Sequence, residues 1–222
     1  MAKPMQIYRL LRKRFGFLNW WPGETSFEVL VGAILTQQTS WKNVEKAISR
    51  LKDANCMKLD CIAGIDIRTL ETLVRPSGYY RQKARRLRSV CSSIKDEYGS
   101  LDSLFRLEAH ELRKRLLSYN GIGKETADSI ILYAANKPVF VIDAYTKRIM
   151  HRINGMQPDI SYDALQGYFE AHVKRNLELY KDMHAQFVEL GKSYCKTTPD
   201  CEDCPANKIC TYYKLSAAAV RL

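Results

Sequence analysis

Residues 116–132 read LLSYNGIGKETADSIIL, in which two apolar helical stretches flank the turn Gly121-Ile122-Gly123. Glycine adopts positive φ angles readily, so this turn permits a tight hairpin that exposes successive backbone N–H groups at the start of its second helix. Those N–H groups, the helix dipole and Lys124 together favour a phosphate oxygen. A contact of this kind positions a protein on DNA without recognising a base sequence. An ordinary turn between two packed helices is the alternative.

An acidic residue follows the hairpin at the end of a short apolar run. Residues 139–142 read VFVI, and Asp143 comes next, eighteen positions after Glu125. Aspartate at the expected start of a helix is a typical N-cap. Helix N–H groups favour its ionised form and lower the pKa of such a carboxyl. The resulting anion suits the stabilisation of a positive charge that develops during a reaction.

Four cysteines near the C-terminus are separated by five, two and five residues: Cys195, Cys201, Cys204 and Cys210. A four-iron cluster takes one thiolate per iron, and a loop that turns back twice within a short stretch suits it. A structural zinc ion and unrelated free thiols are the alternatives, although zinc sites usually show two Cys-x-x-Cys pairs and this loop has one. The remaining cysteines are predicted to be buried small hydrophobic residues. They are Cys56, Cys61 and Cys91.

The apolar pattern predicts an almost entirely helical chain. Apolar residues recur at helical spacing in the stretches 27–35 and 44–51, as on the buried face of an amphipathic helix. Alternation of the kind seen in strands is nearly absent, and residues 138–142 are too short a run to found a sheet. Proline and glycine breakers divide the chain into many short helices. The expected fold class is therefore all-α.

The charge balance indicates the kind of partner. The chain of 222 residues has 35 Lys and Arg against 24 Asp and Glu, which gives a net charge of +11. This balance favours a polyanion, with nucleic acid as the leading candidate. No run of eighteen apolar residues is present, so no membrane span is expected. Residues 1–21 do not resemble a secretory signal, and a reducing, cytosolic compartment is the simplest expectation.

Together, the hairpin, the acid beyond it and the four-cysteine loop resemble the endonuclease III family of DNA glycosylases over nearly the whole chain. The resemblance implies a two-lobe helix-hairpin-helix fold: a six-helix barrel over residues 26–136, and a second helical lobe of residues 1–25 and 137–222. It also implies one four-iron four-sulfur cluster in the second lobe, with a structural or redox-sensing role. The implied partner is double-stranded DNA with a damaged or mismatched base. A monomer in the cytoplasm, associated with the nucleoid, is expected.

The resemblance assigns the family's catalytic carboxylate to Asp143. In these enzymes the carboxylate is thought to stabilise an oxocarbenium-like sugar cation as the N-glycosidic bond breaks, and to help water attack. Members that also cut the DNA backbone have a lysine in the hairpin helix, whose amine forms a Schiff base with the sugar. Glu125 occupies that position here, and the preceding Lys124 is expected to bind phosphate. This departure predicts a monofunctional glycosylase.

Two further segments resemble the parts of the family that enter the duplex when a base leaves the stack. Gln38, or alternatively Gln37, would fill the space left by the flipped base. Tyr79 would press on the opposite strand. Behind it, the residues expected to contact phosphates are Lys83, Arg85 and Arg86. A solvated helix face is the alternative for this basic run.

The substrate is suggested by aromatic residues. Trp20, Trp21 and Trp41 are predicted to border the base pocket, because electron-rich rings stack on a flat, positively charged base; core packing is the alternative. Residues 20–22, 74–80 and 120–125 look especially like the endonuclease III-like 3-methyladenine glycosylases, which favours an alkylated purine. Those relatives lack the four-cysteine loop. The chain is also similar to cluster-bearing archaeal relatives that remove uracil, or thymine from mismatches.

Three other assignments stay open at the level of sequence. The protein is a bifunctional glycosylase and lyase if another amine replaces the missing lysine. It is a non-catalytic DNA-binding iron–sulfur protein if Asp143 is only a helix cap. It is an electron carrier if its basic surface meets an acidic protein. Asp143 and the wedge segments, meaning the segments around Gln38 and Tyr79 that are expected to enter the duplex, argue against the second assignment. The hairpin argues against the third.

Overall fold

The computed structural model describes residues 2–18, 20 and 23–219. These residues form α-helices, short 3₁₀ and π turns and irregular loops, without a β-strand, which confirms the all-α prediction. None of the described helices is both long enough and apolar enough to cross a membrane. Trp21, one of the three predicted pocket residues, lies outside the described residues.

Thirteen α-helices are formed by the described residues. They are α1 (Pro4–Phe15), α2 (Ser26–Leu35), α3 (Trp41–Asp53), α4 (Leu59–Gly64), α5 (Ile67–Val74), α6 (Tyr80–Tyr98), α7 (Leu101–Phe105), α8 (Ala109–Ser118), α9 (Lys124–Ser129), α10 (Ala144–Asn154), α11 (Tyr162–His172), α12 (Leu177–Ser193) and α13 (Thr211–Ala219). The 3₁₀ turns are Arg75–Ser77 and Asn207–Ile209, and the π turn Ile130–Ala134 continues α9.

The chain divides into two compact units. One comprises Trp21–Lys137, and the other combines Met1–Trp20 with Pro138–Leu222. The first unit therefore contains α2 to α9, including the hairpin between α8 and α9. The second contains α1, α10 to α13, Asp143 and the four-cysteine loop. The predicted barrel over residues 26–136 lies inside the first unit.

Helix α2 forms the centre of the first unit. Its N-terminus is capped by Thr25, whose side chain accepts a hydrogen bond from the backbone N–H of Glu28 at 3.1 Å. Residues 28–35 are all buried, and a helix that is buried on every side belongs in a core. A Cβ atom at Gly32 would lie 3.1 Å from the Trp41 ring, so the absence of a side chain there lets α3 pack closely on α2.

Helix α12 has the corresponding place in the second unit. Its buried Asp182 accepts hydrogen bonds from the Tyr8 hydroxyl at 2.7 Å and from the Leu18 backbone N–H at 2.9 Å. One turn later, Gln186 donates to the Gly16 carbonyl at 2.7 Å. Because buried polar groups are costly unless they are paired, these contacts fix the segment that leads into Trp20 onto the surface of α12.

The cysteines outside the C-terminal loop depart in part from the prediction. Cys56 and Cys61 form a disulfide between the end of α3 and α4, with their Cα atoms 5.2 Å apart. The turn places Asn55 at a positive φ of 52°, which reverses the chain and brings the two thiols together. Cys56 and Cys91 are buried as predicted, whereas Cys61 is partly exposed. Of these three cysteines, Cys91 alone is both free and buried.

Candidate active site

Asp143 begins α10 in the second unit. Its Oδ1 atom accepts two hydrogen bonds from Thr146, one from the backbone N–H and one from the hydroxyl, each at 2.7 Å. The residue is 8% exposed. The N-cap predicted from the sequence is thus formed, and one oxygen atom of the carboxylate is committed to it.

The second carboxylate oxygen faces a histidine. Oδ2 of Asp143 lies 3.6 Å from Nε2 of His184, a buried residue of α12. Burial on its own would raise the pKa of Asp143. The interaction with the nearby His184 ring, followed by the two hydrogen bonds from Thr146, outweighs that effect and lowers the pKa of Asp143 below its ordinary value. The carboxylate is therefore held in its ionised form.

Trp20 lies against the same histidine. The two rings are 5.6 Å apart between centroids and tilted by 58°, and Nζ of Lys192 lies 5.5 Å from the centre of the Trp20 ring. A carboxylate, an imidazole, an aromatic face and an ammonium group are thus collected around α12. Such a set can bind a planar group and stabilise a cation next to it.

Sequence reasoning missed His184. The four histidines of the chain suggest no ligand set, and Asp143 and His184 are 41 positions apart. One available signal is that α12 carries His184 between the buried aromatic residues Tyr180 and Phe187. A polar side chain on an otherwise apolar helix face needs a partner, and here that partner is Asp143.

The hairpin of the first unit confirms the predicted helix-hairpin-helix. Helix α8 ends at Ser118, the backbone N–H of Ile122 donates to the Tyr119 carbonyl at 3.1 Å, and Gly121 has a φ of 86°. Ile122 is buried beneath the turn, whereas Gly123 is exposed and a Cβ atom there would meet nothing within 4 Å. The hairpin therefore leaves open space beside its backbone.

The residues that follow the hairpin begin α9. Lys124 and Glu125 are both exposed at the start of α9. Behind them, Asp128 is fully buried and receives a two-pronged ion pair from Arg113 of α8, with N–O distances of 2.7 and 3.1 Å. Bidentate pairs of this kind fix geometry, so the two helices of the hairpin are held at a defined separation.

The two candidate wedge glutamines have different surroundings. Nε2 of Gln37 donates to the Gly121 carbonyl at 3.0 Å and to the Thr126 hydroxyl at 3.1 Å. Gln38 is exposed and has a φ of 54°. Gln37 is hydrogen-bonded to the hairpin, whereas Gln38 is exposed to solvent.

The structure corrects one predicted phosphate contact, Lys83, and gives the partly exposed Arg86 a hydrogen bond within the protein. Lys83 is only 2% exposed, and its Nζ donates to the carbonyl oxygens of Leu35 and Ser77 at 2.8 and 2.5 Å. It lies on the buried face of α6, four residues before Leu87. Nη1 of Arg86 donates to Oε1 of Gln37 at 2.8 Å. These two side chains therefore stabilise the protein's own loops.

The remaining residues of that segment are exposed. Arg85 points away from the core on α6. Tyr79 is 67% exposed and has a φ of 44°, a left-handed conformation that is strained for a residue with a side chain. The predicted wedge residue and one predicted phosphate contact are thus accessible.

Trp41, one of the predicted pocket residues, lies between α2 and α3. Its ring lies against Gly32, and its Nε1 donates to Oε1 of Glu45 at 2.9 Å. It is partly exposed. These contacts are those of a packing residue between α2 and α3, which was the alternative interpretation for the tryptophans.

The four cysteines of the C-terminal loop line one small cavity, part of which is open to solvent. Burial and the neighbouring thiols raise the pKa of Cys204 to about 11 and also raise the pKa of Cys201. Nη1 of Arg152 lies 3.4 Å from the Cys195 sulfur. No three His, Cys, Asp or Glu side chains in the described ranges are arranged to hold a single metal ion.

This donor set fits a cluster in its chemistry. Four thiolates around one cavity repel one another, and a cationic iron–sulfur core between them would offset that repulsion. A single zinc ion would require the four sulfur atoms to converge to about 2.3 Å from one point.

The pattern of residues 31–175 matches the HhH-GPD superfamily of base excision DNA repair proteins. This span includes the helix-hairpin-helix and Asp143. The chain belongs to the HhH-GPD superfamily. The endonuclease III-like assignment made from the sequence is thereby confirmed, and so is membership of a family of base excision repair DNA glycosylases.

Individual members are similar over most of their length. A Methanocaldococcus jannaschii protein provisionally named a DNA repair glycosylase is 44% identical over 207 residues, which cover 92% of this chain and 94% of that protein. An H. pylori 3-methyladenine DNA glycosylase bound to 1,N6-ethenoadenine is 33% identical, with a TM-score of 0.78 over 86% of this chain and 98% of that chain. Endonuclease III in a non-covalent complex with DNA, at 23% identity, shares the fold with a TM-score of 0.83 over 98% of this chain and 100% of that chain.

Proposed function

We propose that this HhH-GPD protein is a monofunctional DNA glycosylase that flips a damaged base out of double-stranded DNA and hydrolyses its N-glycosidic bond. The observation that carries the proposal is the buried Asp143 carboxylate. One of its oxygens caps a helix, and the other faces His184 beside Trp20. A carboxylate kept ionised in a site largely shielded from water stabilises a developing sugar cation more strongly than it could in solvent.

The accessible residues of the first unit suit the binding and flipping steps. The open backbone around Gly123 and the exposed Lys124 would hold a phosphate of the lesion strand. Gln38 would fill the space that the flipped base leaves, and Tyr79 would press on the opposite strand. Unstacking a base costs a few kcal/mol, and side chains that take its place in the stack offset that cost.

Glu125 supports a reaction that ends with hydrolysis. Strand cleavage by a lyase needs an amine that attacks C1′ of the sugar and forms a Schiff base. A carboxylate cannot do so, and Glu125 occupies the position of the family's lysine at the exposed start of α9. Water activated beside Asp143 is then the nucleophile, and the product is an intact strand with an abasic site.

An alkylated purine such as 3-methyladenine is the preferred substrate. A methylated purine of this class carries a positive charge, and the face of a tryptophan ring attracts cations. The Trp20 ring attracts the ammonium group of Lys192 in this way, and a cationic base would take the place of that ammonium group. The 3-methyladenine glycosylase of H. pylori, at 33% identity, is the relative that supports this choice.

A neutral base is the second candidate, and the same lysine favours it. If Lys192 stays over Trp20 when substrate is bound, its ammonium group and the His184 imidazole flank the ring. A positively charged base would then be repelled, whereas uracil or mismatched thymine would present oxygen acceptors to both groups. This arrangement supports a uracil or thymine mismatch glycosylase.

The four-cysteine loop is proposed to hold one four-iron four-sulfur cluster through Cys195, Cys201, Cys204 and Cys210. The cluster would join α12, which carries His184, to the C-terminal segment and so stabilise the second unit. Hydrolysis of a glycosidic bond transfers no electrons, and the reaction is therefore assigned to Asp143 and its neighbours alone.

A glycosylase assay on a panel of duplexes distinguishes these proposals. Single-turnover excision would be measured on strands with 3-methyladenine, 7-methylguanine, hypoxanthine, uracil and thymine opposite guanine. Preferential release of the methylated purines supports the first candidate, and release of uracil or thymine supports the second. Complete inactivity on the panel, with protein that is folded and loaded with iron, would contradict both.

A further inference from the structure

Lys83 holds two separate segments of the chain from inside the first unit. Its ammonium group donates to the carbonyl of Leu35, the last residue of α2, and to the carbonyl of Ser77, the last residue of the 3₁₀ turn. The side chain is 2% exposed and Ser77 is completely buried. These contacts connect elements that are more than forty positions apart in the sequence.

In the sequence, the two carbonyl groups come shortly before the two predicted wedge residues. Gln38 follows Leu35 by three positions, and Tyr79 follows Ser77 by two. Both wedge residues are exposed, and both have positive φ angles, 54° and 44°. Non-glycine residues keep such strained conformations only where the surrounding structure imposes them. Lys83 is the side chain that reaches both segments.

Burying the charge of a lysine at this position costs free energy. Within the described residues, its hydrogen-bond partners are backbone carbonyls and not a carboxylate. Burial, together with the nearby Arg86, lowers the pKa of Lys83 to about 8. A methionine would fill similar volume without desolvating a charge. What methionine lacks is the set of donors that lets one side chain bind two carbonyl groups at once.

The next turn of α6 extends the same network. Arg86 donates to Gln37, and Gln37 donates to the Gly121 carbonyl of the hairpin. The side chain of Arg86 also lies against Gly121, where a Cβ atom would overlap it. Helix α6 thus contacts the Gln38 segment, the Tyr79 segment and the hairpin through two side chains.

We propose that Lys83 is a positioning residue that fixes the Gln38 and Tyr79 segments relative to each other, so that both wedges enter the duplex together. It makes no contact with DNA itself. The inference rests on the proposed wedge roles of Gln38 and Tyr79, and it assigns a function to a lysine whose sequence context suggests a phosphate contact.

The test compares Lys83→Met with Arg85→Met, a change of an exposed cation two positions away on the same helix. Two duplexes serve as probes: an intact one, and one that carries a tetrahydrofuran abasic analogue opposite 2-aminopurine. The abasic analogue needs no base to be recognised, and 2-aminopurine fluorescence reports insertion of a side chain into the stack. Affinities for both duplexes are measured over a range of salt concentrations.

Lys83→Met is expected to bind intact duplex with the wild-type salt slope, and to lose about tenfold of its preference for the abasic duplex together with the fluorescence change. Arg85→Met is expected to keep that preference and to reduce the salt slope by about 0.9, the effect of one phosphate contact. A reduced salt slope in Lys83→Met, or an unchanged preference for the abasic duplex, would overturn the inference.

Measurements on the wild-type protein distinguish a failure of the proposed wedge function from a failure of the positioning role of Lys83. If it has no preference for the abasic duplex and gives no fluorescence change, the proposed wedge function fails before Lys83 is tested, and the inference falls with it. Circular dichroism checks that each variant is folded. If Lys83→Met does not fold at the assay temperature, Lys83→Gln, whose amide can still donate to one carbonyl, carries the same comparison.

Discussion

Asp143 divides its oxygen atoms between a structural contact and the proposed chemistry. Oδ1 receives both hydrogen bonds from Thr146, and Oδ2 faces His184. Asparagine caps a helix about as well as aspartate, because its carbonyl oxygen can take over the bonds to Thr146. A change to asparagine should therefore remove the charge and leave the helix in place.

We expect Asp143→Asn to bind damaged duplex with nearly wild-type affinity and to excise the base roughly two orders of magnitude more slowly or worse, since preorganised charge is lost. Single-turnover kinetics and thermal unfolding measure the two effects. Asp66→Asn is the matched control, because Asp66 caps α5 through the N–H of Thr69 in the same way. Wild-type excision by Asp143→Asn would refute the catalytic assignment.

If Asp143 is the catalytic group, we expect His184 to set the acid limit of the reaction. The folded protein lowers the pKa of Asp143, so the active carboxylate persists as pH falls below the range in which an ordinary aspartate is protonated, about 3.9. We therefore expect activity to be lost only as the pH falls through the lowered native pKa of Asp143. His184→Gln removes the interaction that contributes most to this lowering, while burial remains.

The excision rate of His184→Gln should therefore begin to fall at a higher pH than the wild-type rate as the solution is acidified. The measurement is single-turnover excision against pH, with binding followed separately. His110→Gln provides the control, because His110 is exposed in the first unit and does not contact Asp143. If the excision rates of wild type and His184→Gln fell over the same range of acidic pH, this histidine would not control the pKa of Asp143.

Glu125 is the residue from which we infer the product. With a carboxylate in place of the family's lysine, strand breaks should appear only after alkali or an added lyase, and borohydride should trap little enzyme on DNA. Denaturing gels measure both. Glu125→Lys is expected to gain some trapped adduct if the new amine reaches the sugar. Efficient trapping by the wild type that disappears in Lys124→Gln would identify Lys124 as an attacking amine and contradict the monofunctional assignment.

At the level of the elements, the features predicted correctly are those with a local signal. The hairpin follows from glycines within three residues, and the start of α10 follows from an acid after an apolar run. Helical spacing predicts α2 as a helix with a buried face, although the structure buries residues 28–35 on every side. Each of these depends on neighbours within about one or two helical turns, where the sequence and the physical cause coincide.

The features that were missed depend on contacts between distant segments. Lys83 belongs by spacing to the buried face of α6, with Leu87 and Val90, but the surrounding arginines suggested a basic surface. The partner of Asp143 is 41 positions away on α12. The Cys56–Cys61 disulfide depends on the geometry of one turn. None of these is fixed by composition or by the period of a single helix.

The four-cysteine loop gives a prediction about metal. Purified protein should be brown and contain about four iron atoms per chain, because four thiolates around one cavity match a four-iron cluster. Metal analysis and visible absorption measure this. Cys204→Ala should lose the iron, whereas Cys91→Ala, a change in the core of the first unit, should retain it. Stoichiometric zinc without iron, in protein prepared anaerobically from iron-supplied cells, would contradict the assignment.

The charge of the whole molecule determines how the protein finds its substrate. With 35 Lys and Arg against 24 Asp and Glu, the chain attracts DNA before any base is recognised. Each phosphate that the protein neutralises releases condensed counterions, so the logarithm of the binding constant should fall linearly with the logarithm of the salt concentration, by about 0.9 per phosphate. The slope of this salt dependence therefore gives the number of phosphates that the protein contacts.

We expect weak binding to undamaged duplex with a slope of several contacts, and tighter binding to an abasic duplex with a similar slope, because wedge insertion adds few charges. Fluorescence anisotropy over a salt series measures both. Lys83→Met should leave the slope unchanged, since that lysine is buried. Binding that does not depend on salt, or no binding to DNA at low salt, would favour an acidic protein as the partner of this basic surface and would count against the glycosylase proposal as a whole.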